Sequence, residues 1–109
     1  LKYHRISSRQ AFKKADAVDV VLRMLNNLRM IASSVGDYGQ ALALTDYQLI
    51  LKPEAYSVYV DRADIWLLLG SVDKGRQELE RALFVADDHV KTLVRSRLEE
   101  LSEGSSMSN

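Results

Sequence analysis

Very few side chains in this sequence are suited to covalent or metal chemistry. The 109 residues contain no cysteine, and the two histidines, His4 and His89, lie far apart. Without thiols there is no cysteine nucleophile, disulfide or thiolate metal ligand, and two isolated histidines do not make a Ser-His-Asp arrangement. We therefore expect no enzyme activity, no metal site and no cofactor.

A second set of side chains is better suited to holding another polypeptide. These are amides and charges of both signs beside apolar helical stripes, and such groups can bind a peptide backbone or a terminal carboxylate. The expected partner-binding residues are Arg23, Asn26, Asn27 and Met30 on a first helix, Asp61 and Asp64 on a third, and Lys91 and Arg95 on a fifth. The alternative is an internal polar network that fixes the angle between helices. Its members would be Asn27, Asp61, Arg62 and Arg95.

Three aromatic residues, Tyr56, Tyr59 and Trp66, follow one another at helical spacing. Such a set can line an aromatic cage for a ligand, but buried helical stripes use the same residue types routinely. We interpret these three as core residues of the third helix.

Helices must position all of these side chains, because apolar residues recur at spacings of three and four along most of the chain. The first helix is expected from a cap at Asp16 to about Ser34, and the second from about 38 to 51. The inward stripe of the first helix should be Val21, Leu25, Leu28, Ala32 and Val35. Ser71 should cap a fourth helix. The fifth should place Val90, Val94, Leu98 and Leu101 on one side.

A repeat relates the two halves of this pattern. Gly36 follows the first helix, and Gly70 follows the third 34 residues later. Each glycine supplies the left-handed residue that ends a helix, and helices joined so briefly pack antiparallel. Ala41 and Gly75 are small where the helices of each hairpin should cross. Pro53 separates the two hairpins, because proline cannot continue a helix.

This period is that of the tetratricopeptide repeat, and the sequence resembles that family. Matching positions are Leu25, Leu28, Ala32, Gly36, Tyr38, Ala41 and Pro53, then Tyr59, Ala63, Trp66, Gly70, Gly75, Leu79 and Ala82. Arg29, Gln48, Arg62 and Asp87 depart from the pattern. The resemblance implies an all-α fold, a right-handed α-solenoid of two hairpins at about 22–55 and 56–89 with a capping helix at about 88–101. The first helix of each hairpin would line a concave face.

A narrower resemblance rests on three pieces: RMLNNLRMI at 23–31, the Asp61-Arg62 pair, and ELERAL at 78–83 followed by a short final helix. Together they are similar to the C-terminal repeat region of the bacterial and plastid SirB-type transglutaminase-like proteins. In that family the region follows a larger transglutaminase-like domain. The resemblance implies no catalytic residue within the repeats, and a cytoplasmic location or, alternatively, the plastid stroma.

The ends and the charge balance bound the remaining possibilities. Residues 1–15 are basic and loosely amphipathic, so they form either a solvated face packed on the first helix or an arm for nucleic acid or membrane. Residues 102–109 have no apolar period and are expected to be disordered. The sequence begins at Leu1, which suggests an excised piece of a longer protein. Fifteen basic and fifteen acidic residues cancel, which argues against nucleic acid and membrane partners.

These expectations favour a protein-protein interaction module that binds a peptide or partner protein on its concave face. One alternative is a non-catalytic accessory domain that supports a transglutaminase-like enzyme domain. Another is a homodimerisation module, for which Leu67 and Leu68 would be the exposed apolar residues.

Overall fold

The computed structural model describes the backbone of residues 14–107 and the side chains of residues 16–104. Five α-helices follow one another: α1 Lys14–Ser34, α2 Tyr38–Leu51, α3 Tyr56–Leu68, α4 Val72–Val85 and α5 Asp88–Met107. Residues 14–107 include no strand, so the prediction of an all-α chain is confirmed. None of the five helices is long and apolar enough to cross a membrane.

The turns that follow α1 and α3 have the same geometry. Gly36 and Gly70 have positive φ angles of 81° and 83°, in the left-handed region that favours glycine. The amide after each glycine closes the turn: Asp37 donates to the Ala32 carbonyl and Ser71 to the Trp66 carbonyl, both at 2.8 Å. The predicted helix ends are therefore confirmed, and the hydrogen bonds repeat at the spacing of the two glycines.

The caps on the far side of these turns differ. The Asp37 carboxylate accepts a hydrogen bond from the Gln40 amide at 3.2 Å and caps α2. Ser71 lies at the corresponding position of α4, but its side chain makes no capping hydrogen bond, so that part of the prediction is wrong. Asp16 lies within the first turn of α1 rather than before it, because α1 already begins at Lys14.

Each turn joins two helices that pack as a hairpin, α1 with α2 and α3 with α4. At the second crossing, a Cβ added to Gly75 would lie 3.1 Å from Leu67 Cδ2. Ala41 is fully buried at the first crossing. Close approach of the helices therefore requires small residues at both positions, as the sequence predicts.

Two clusters of buried apolar residues form the core, and α3 contributes to both. Ile65 packs with Ala32, Ala41 and Leu44 of the first hairpin. Ala63 packs instead with the cluster that Leu79, Ala82 and Val94 form with α4 and α5. The third helix thus joins the two hairpins through opposite faces.

The inward stripe predicted for α1 is wrong in part. Leu25 and Ala32 face the core, but Val21, Leu28 and Val35 are 41%, 50% and 74% exposed. The helix carries two stripes with helical spacing, and the one that packs runs through Val18, Leu22, Leu25, Arg29 and Ala32. This second stripe escapes a purely apolar pattern because it includes Arg29, whose charge is paired with Asp61 on α3.

The final helix packs as predicted but continues further. Val94 is buried, and Val90, Leu98 and Leu101 pack beside it on the core of the second hairpin. The helix extends to Met107, past the predicted boundary at residue 101. The predicted irregular tail is therefore helical over 102–107, a segment without proline that can continue the hydrogen-bond ladder. Most of the predicted basic arm, residues 1–13, lies outside the described residues.

Candidate functional site

A groove of about 430 Å³ opens between α3 and α5. Its walls are successive turns of the two helices, since the lining residues of each helix are three or four apart and share one face. The apolar lining residues are Tyr56, Val60, Val90, Leu93 and Val94, and the polar ones are Ser57, Asp61, Ser96, Arg97 and Glu100.

Apolar surface in this groove is open to solvent. Val94 is only 2% exposed and belongs to the core beneath, whereas Leu93 is 68% exposed on the wall. A concave apolar surface with a few polar groups at its edge is the usual form of a binding site. The groove can therefore take up an apolar side chain without rearrangement of the helices.

A chain of polar side chains joins α1 to α3 beside the groove. Arg29 donates from Nη2 to Asn26 Oδ1 at 2.7 Å, and the same nitrogen lies 3.4 Å from Asp61 Oδ2. The Asn26 amide continues the chain to the sulfur of Met30 at 3.7 Å. This α1–α3 polar chain (Met30, Asn26, Arg29, Asp61) reaches the groove through its last member.

Asp61 carries a perturbed carboxyl group. Burial raises the pKa of Asp61 above its ordinary value of 3.8, Arg29 opposes that rise, and the negative charge of Asp64 adds to it. Burial is the largest of these effects. Perturbed carboxyls are common where proteins bind ligands, although structural ion pairs produce them too.

A second ion pair joins α3 to α5. Arg97 Nη2 donates to Asp64 Oδ1 at 2.6 Å, and both side chains are partly open to solvent. Together with the α1–α3 polar chain, it places charged groups of three helices along one side of the molecule.

The eight predicted partner-binding residues separate accordingly. Asn26, Met30, Asp61 and Asp64 belong to the connected polar groups. Lys91 lies on α5 but pairs with Asp88 of its own helix at 3.4 Å. The exposed residues Arg23, Asn27 and Arg95 make no ion pair or side-chain hydrogen bond with any residue in 16–104.

The expectation that Asn26, Asp61 and Arg95 come together is wrong for the last residue. Arg97 contacts α3 instead, because it lies one turn after the buried Val94 and shares its side of α5. A position two residues earlier on the helix points well away from that face.

A separate network of charges lies inside the molecule, between the hairpins. The Glu78 side chain on α4 is 2% exposed and accepts hydrogen bonds from Arg62 Nε and, at 2.6 Å, from Arg81 Nη1. Arg62 also donates to Thr45 Oγ1 at 2.8 Å and to Asp46 Oδ1 at 2.5 Å. The buried Glu78 network therefore ties α2, α3 and α4 together.

An internal network thus exists, but its membership differs from the predicted one. Arg62 belongs to it, Asp61 belongs to the α1–α3 polar chain, and neither Asn27 nor Arg95 belongs to either. The sequence signal for Glu78 was its position on the inward stripe of α4, three residues after Gly75 and one before Leu79. The signal for Arg29 and Arg97 was their spacing of 34 residues on either side of Ala63.

The described residues offer no site of another kind. Within them, no group of three His, Asp or Glu side chains is placed to hold a metal ion. Trp66 is partly buried, and its ring contacts the Lys74 ammonium, 4.4 Å from the ring centroid, rather than facing an open cage. Comparison of the chain with protein-family models, curated proteins and solved structures finds no match.

Proposed function

We propose that this chain is a non-catalytic protein-interaction module that binds a segment of a partner polypeptide in the groove between α3 and α5. The observation that carries the proposal is the groove itself, with a 68% exposed Leu93 on one wall and charged groups along its edge. An apolar wall supplies affinity by removing surface from water, and the polar edge supplies orientation.

We also propose the arrangement that accounts for this groove: a right-handed α-solenoid of two tetratricopeptide hairpins, about 22–55 and 56–89, with α5 as the cap. Support comes from the identical turns at Gly36 and Gly70 and from the small buried residues Ala41 and Gly75, each pair 34 residues apart. In such a solenoid α1, α3 and α5 line the concave face. Membership of the SirB-type family remains a hypothesis, as does a location in the cytoplasm or the plastid stroma.

The proposal is tested with short random peptides displayed on phage and selected on the immobilised chain. Replacing Leu93 by Gln should weaken a selected peptide by about tenfold or more, since an exposed apolar contact is lost from the groove. Phe84→Gln is the matched control, because Phe84 is 89% exposed on α4 and does not line the groove. Selection of no peptide, or equal losses in both variants, contradicts the proposal.

A second candidate function, homodimerisation, is favoured by the exposed face of α1. Val21, Met24, Leu28, Ile31 and Val35 form a stripe whose members are 41–74% exposed. Contiguous apolar patches of this kind are uncommon on monomers. The predicted dimer surface at Leu67 and Leu68 is less suitable, since only Leu68 is exposed and Leu67 packs against Gly75.

The α1 stripe is symmetric about Leu28, so two copies packed antiparallel would pair each Leu28 with its equivalent. The chain has no cysteine, so a Leu28→Cys variant should form a disulfide-linked dimer under mild oxidation. Val21→Cys is the control, because its two copies would lie about 20 Å apart along the helices. A monomeric mass and no cross-link would refute the dimer and favour the accessory-domain alternative, in which a neighbouring domain covers this face.

A further inference from the structure

We infer that the groove selects partner segments in which a basic side chain stands next to an apolar one. The inference rests on the proposed function and adds to it the chemistry of the partner. Three features carry it: the shape of the apolar lining, the charge balance at one end of the groove, and the unpaired carboxylate of Glu100.

The apolar lining is concentrated toward the beginnings of the two helices. Tyr56 and Val60 lie on the first two turns of α3, and Val90 and Leu93 on the first two turns of α5. An apolar side chain of a bound segment has its largest contact area there. The charged lining residues follow one to two turns later on each helix, so polar and apolar contacts occupy different ends of the groove.

Acidic groups outnumber basic ones at the polar end. The carboxylates there are those of Asp61, Asp64 and Glu100, and the guanidiniums are those of Arg29 and Arg97. Both guanidiniums are already engaged, Arg29 with α1 and α3 neighbours and Arg97 with Asp64. Three carboxylates therefore face two satisfied cations, and the excess charge is negative.

Glu100 carries that excess into the groove. It lines the groove on α5, one turn after Arg97, and pairs with no charged or hydrogen-bonding side chain among residues 16–104. A ligand cation can therefore bind Glu100 without breaking an ion pair. An anionic ligand would meet Glu100 and the partly buried Asp61, whose raised pKa shows that added negative charge is unfavourable there.

Lysine and arginine fit both ends of the groove. Their methylene stems pack along apolar surface while the charged head stays in a polar, hydrated position. An arginine head can also bind a carboxylate through two parallel hydrogen bonds. A segment with an apolar residue in the lined end and an adjacent basic residue toward Glu100 thus uses the whole groove.

The experiment compares peptide selection on three forms of the 109-residue chain: wild type, Glu100→Lys and Glu99→Lys. Glu99 is the matched control, because it is exposed on the same helix and takes the same charge change but does not line the groove. Wild type and Glu99→Lys should enrich peptides with Lys or Arg beside an apolar residue, and Glu100→Lys should lose that preference. A selected peptide should bind Glu100→Lys about tenfold more weakly by fluorescence polarisation.

The outcomes separate this inference from the proposed function. Peptides that bind in a Leu93-dependent manner but carry no basic residue leave the groove as the binding site and refute the basic preference. Equal losses in Glu100→Lys and Glu99→Lys refute it as well, because they indicate a general charge effect. Selection of no peptide contradicts the proposed function itself and with it this inference.

Discussion

Glu78→Gln removes the buried negative charge that joins the two hairpins while it keeps the size of the side chain. The Glu78 side chain is 2% exposed and that of Arg62 is 15% exposed, so their pairing takes place largely out of water. Breaking a buried ion pair from one side costs about 3–5 kcal/mol. Arg62 keeps Thr45 and the exposed Asp46 as partners, which lowers the expected loss of unfolding free energy to about 2–3 kcal/mol.

The contribution of Arg81 to the same carboxylate should be much smaller. Its side chain is 59% exposed, and surface ion pairs contribute at most about 1 kcal/mol. Arg81→Gln is therefore the matched control for Glu78→Gln. A double variant, Arg62→Leu with Glu78→Leu, should be less destabilised than Glu78→Gln, because it leaves no charge buried without a partner. Thr45 stays satisfied in that variant, since its hydroxyl also donates to the Leu42 carbonyl at 2.6 Å.

Urea unfolding, followed by far-UV circular dichroism and by the fluorescence of Trp66, gives the free energies for all these variants. If Glu78→Gln unfolds within about 0.5 kcal/mol of the wild type, as surface substitutions do, the buried network does not hold the hairpins together. The same conclusion follows if Arg81→Gln costs as much as Glu78→Gln.

Other predictions concern the turns and the perturbed carboxyl. Gly70→Ala should cost about 1–2 kcal/mol in urea unfolding, because alanine is strained at a φ of 83°. Gly39→Ala, in a helix with open space around the added methyl group, should instead stabilise by about 0.5–1 kcal/mol. An NMR titration should place the pKa of Asp61 above 3.8; Arg29→Gln should raise it further and Asp64→Asn should lower it. A raised carboxyl pKa means that the folded state binds the proton more tightly, so this group stabilises most at low pH and its contribution is lost as pH rises through the folded-state pKa.

Features set by local chemistry were predictable from the sequence. Gly36 and Gly70 end their helices with the expected left-handed geometry, and Pro53 lies between the hairpins as expected. Each of these residues acts through its own backbone restrictions, which do not depend on distant neighbours. The helix bounds at Ser34, Tyr38 and Leu51 follow from them.

Features set by the rotation of one helix against another were harder to predict. The α1 sequence holds two stripes with the same spacing, and the stripe that packs contains Arg29, which no apolar pattern selects. Likewise, the choice between Arg95 and Arg97 depends on which side of α5 faces α3. Pairing partners such as Asp61 and Asp64 decide these questions, and they lie more than thirty residues away in sequence.

The most direct test of the groove is an NMR titration of the isotope-labelled chain with a selected peptide. The account predicts that the largest amide shift changes fall on the groove walls, at Val60, Leu93 and Arg97, and that the exposed residues Tyr47 of α2 and Phe84 of α4 stay unchanged. Largest changes at Tyr47 and Phe84, with the groove walls unaffected, would contradict it.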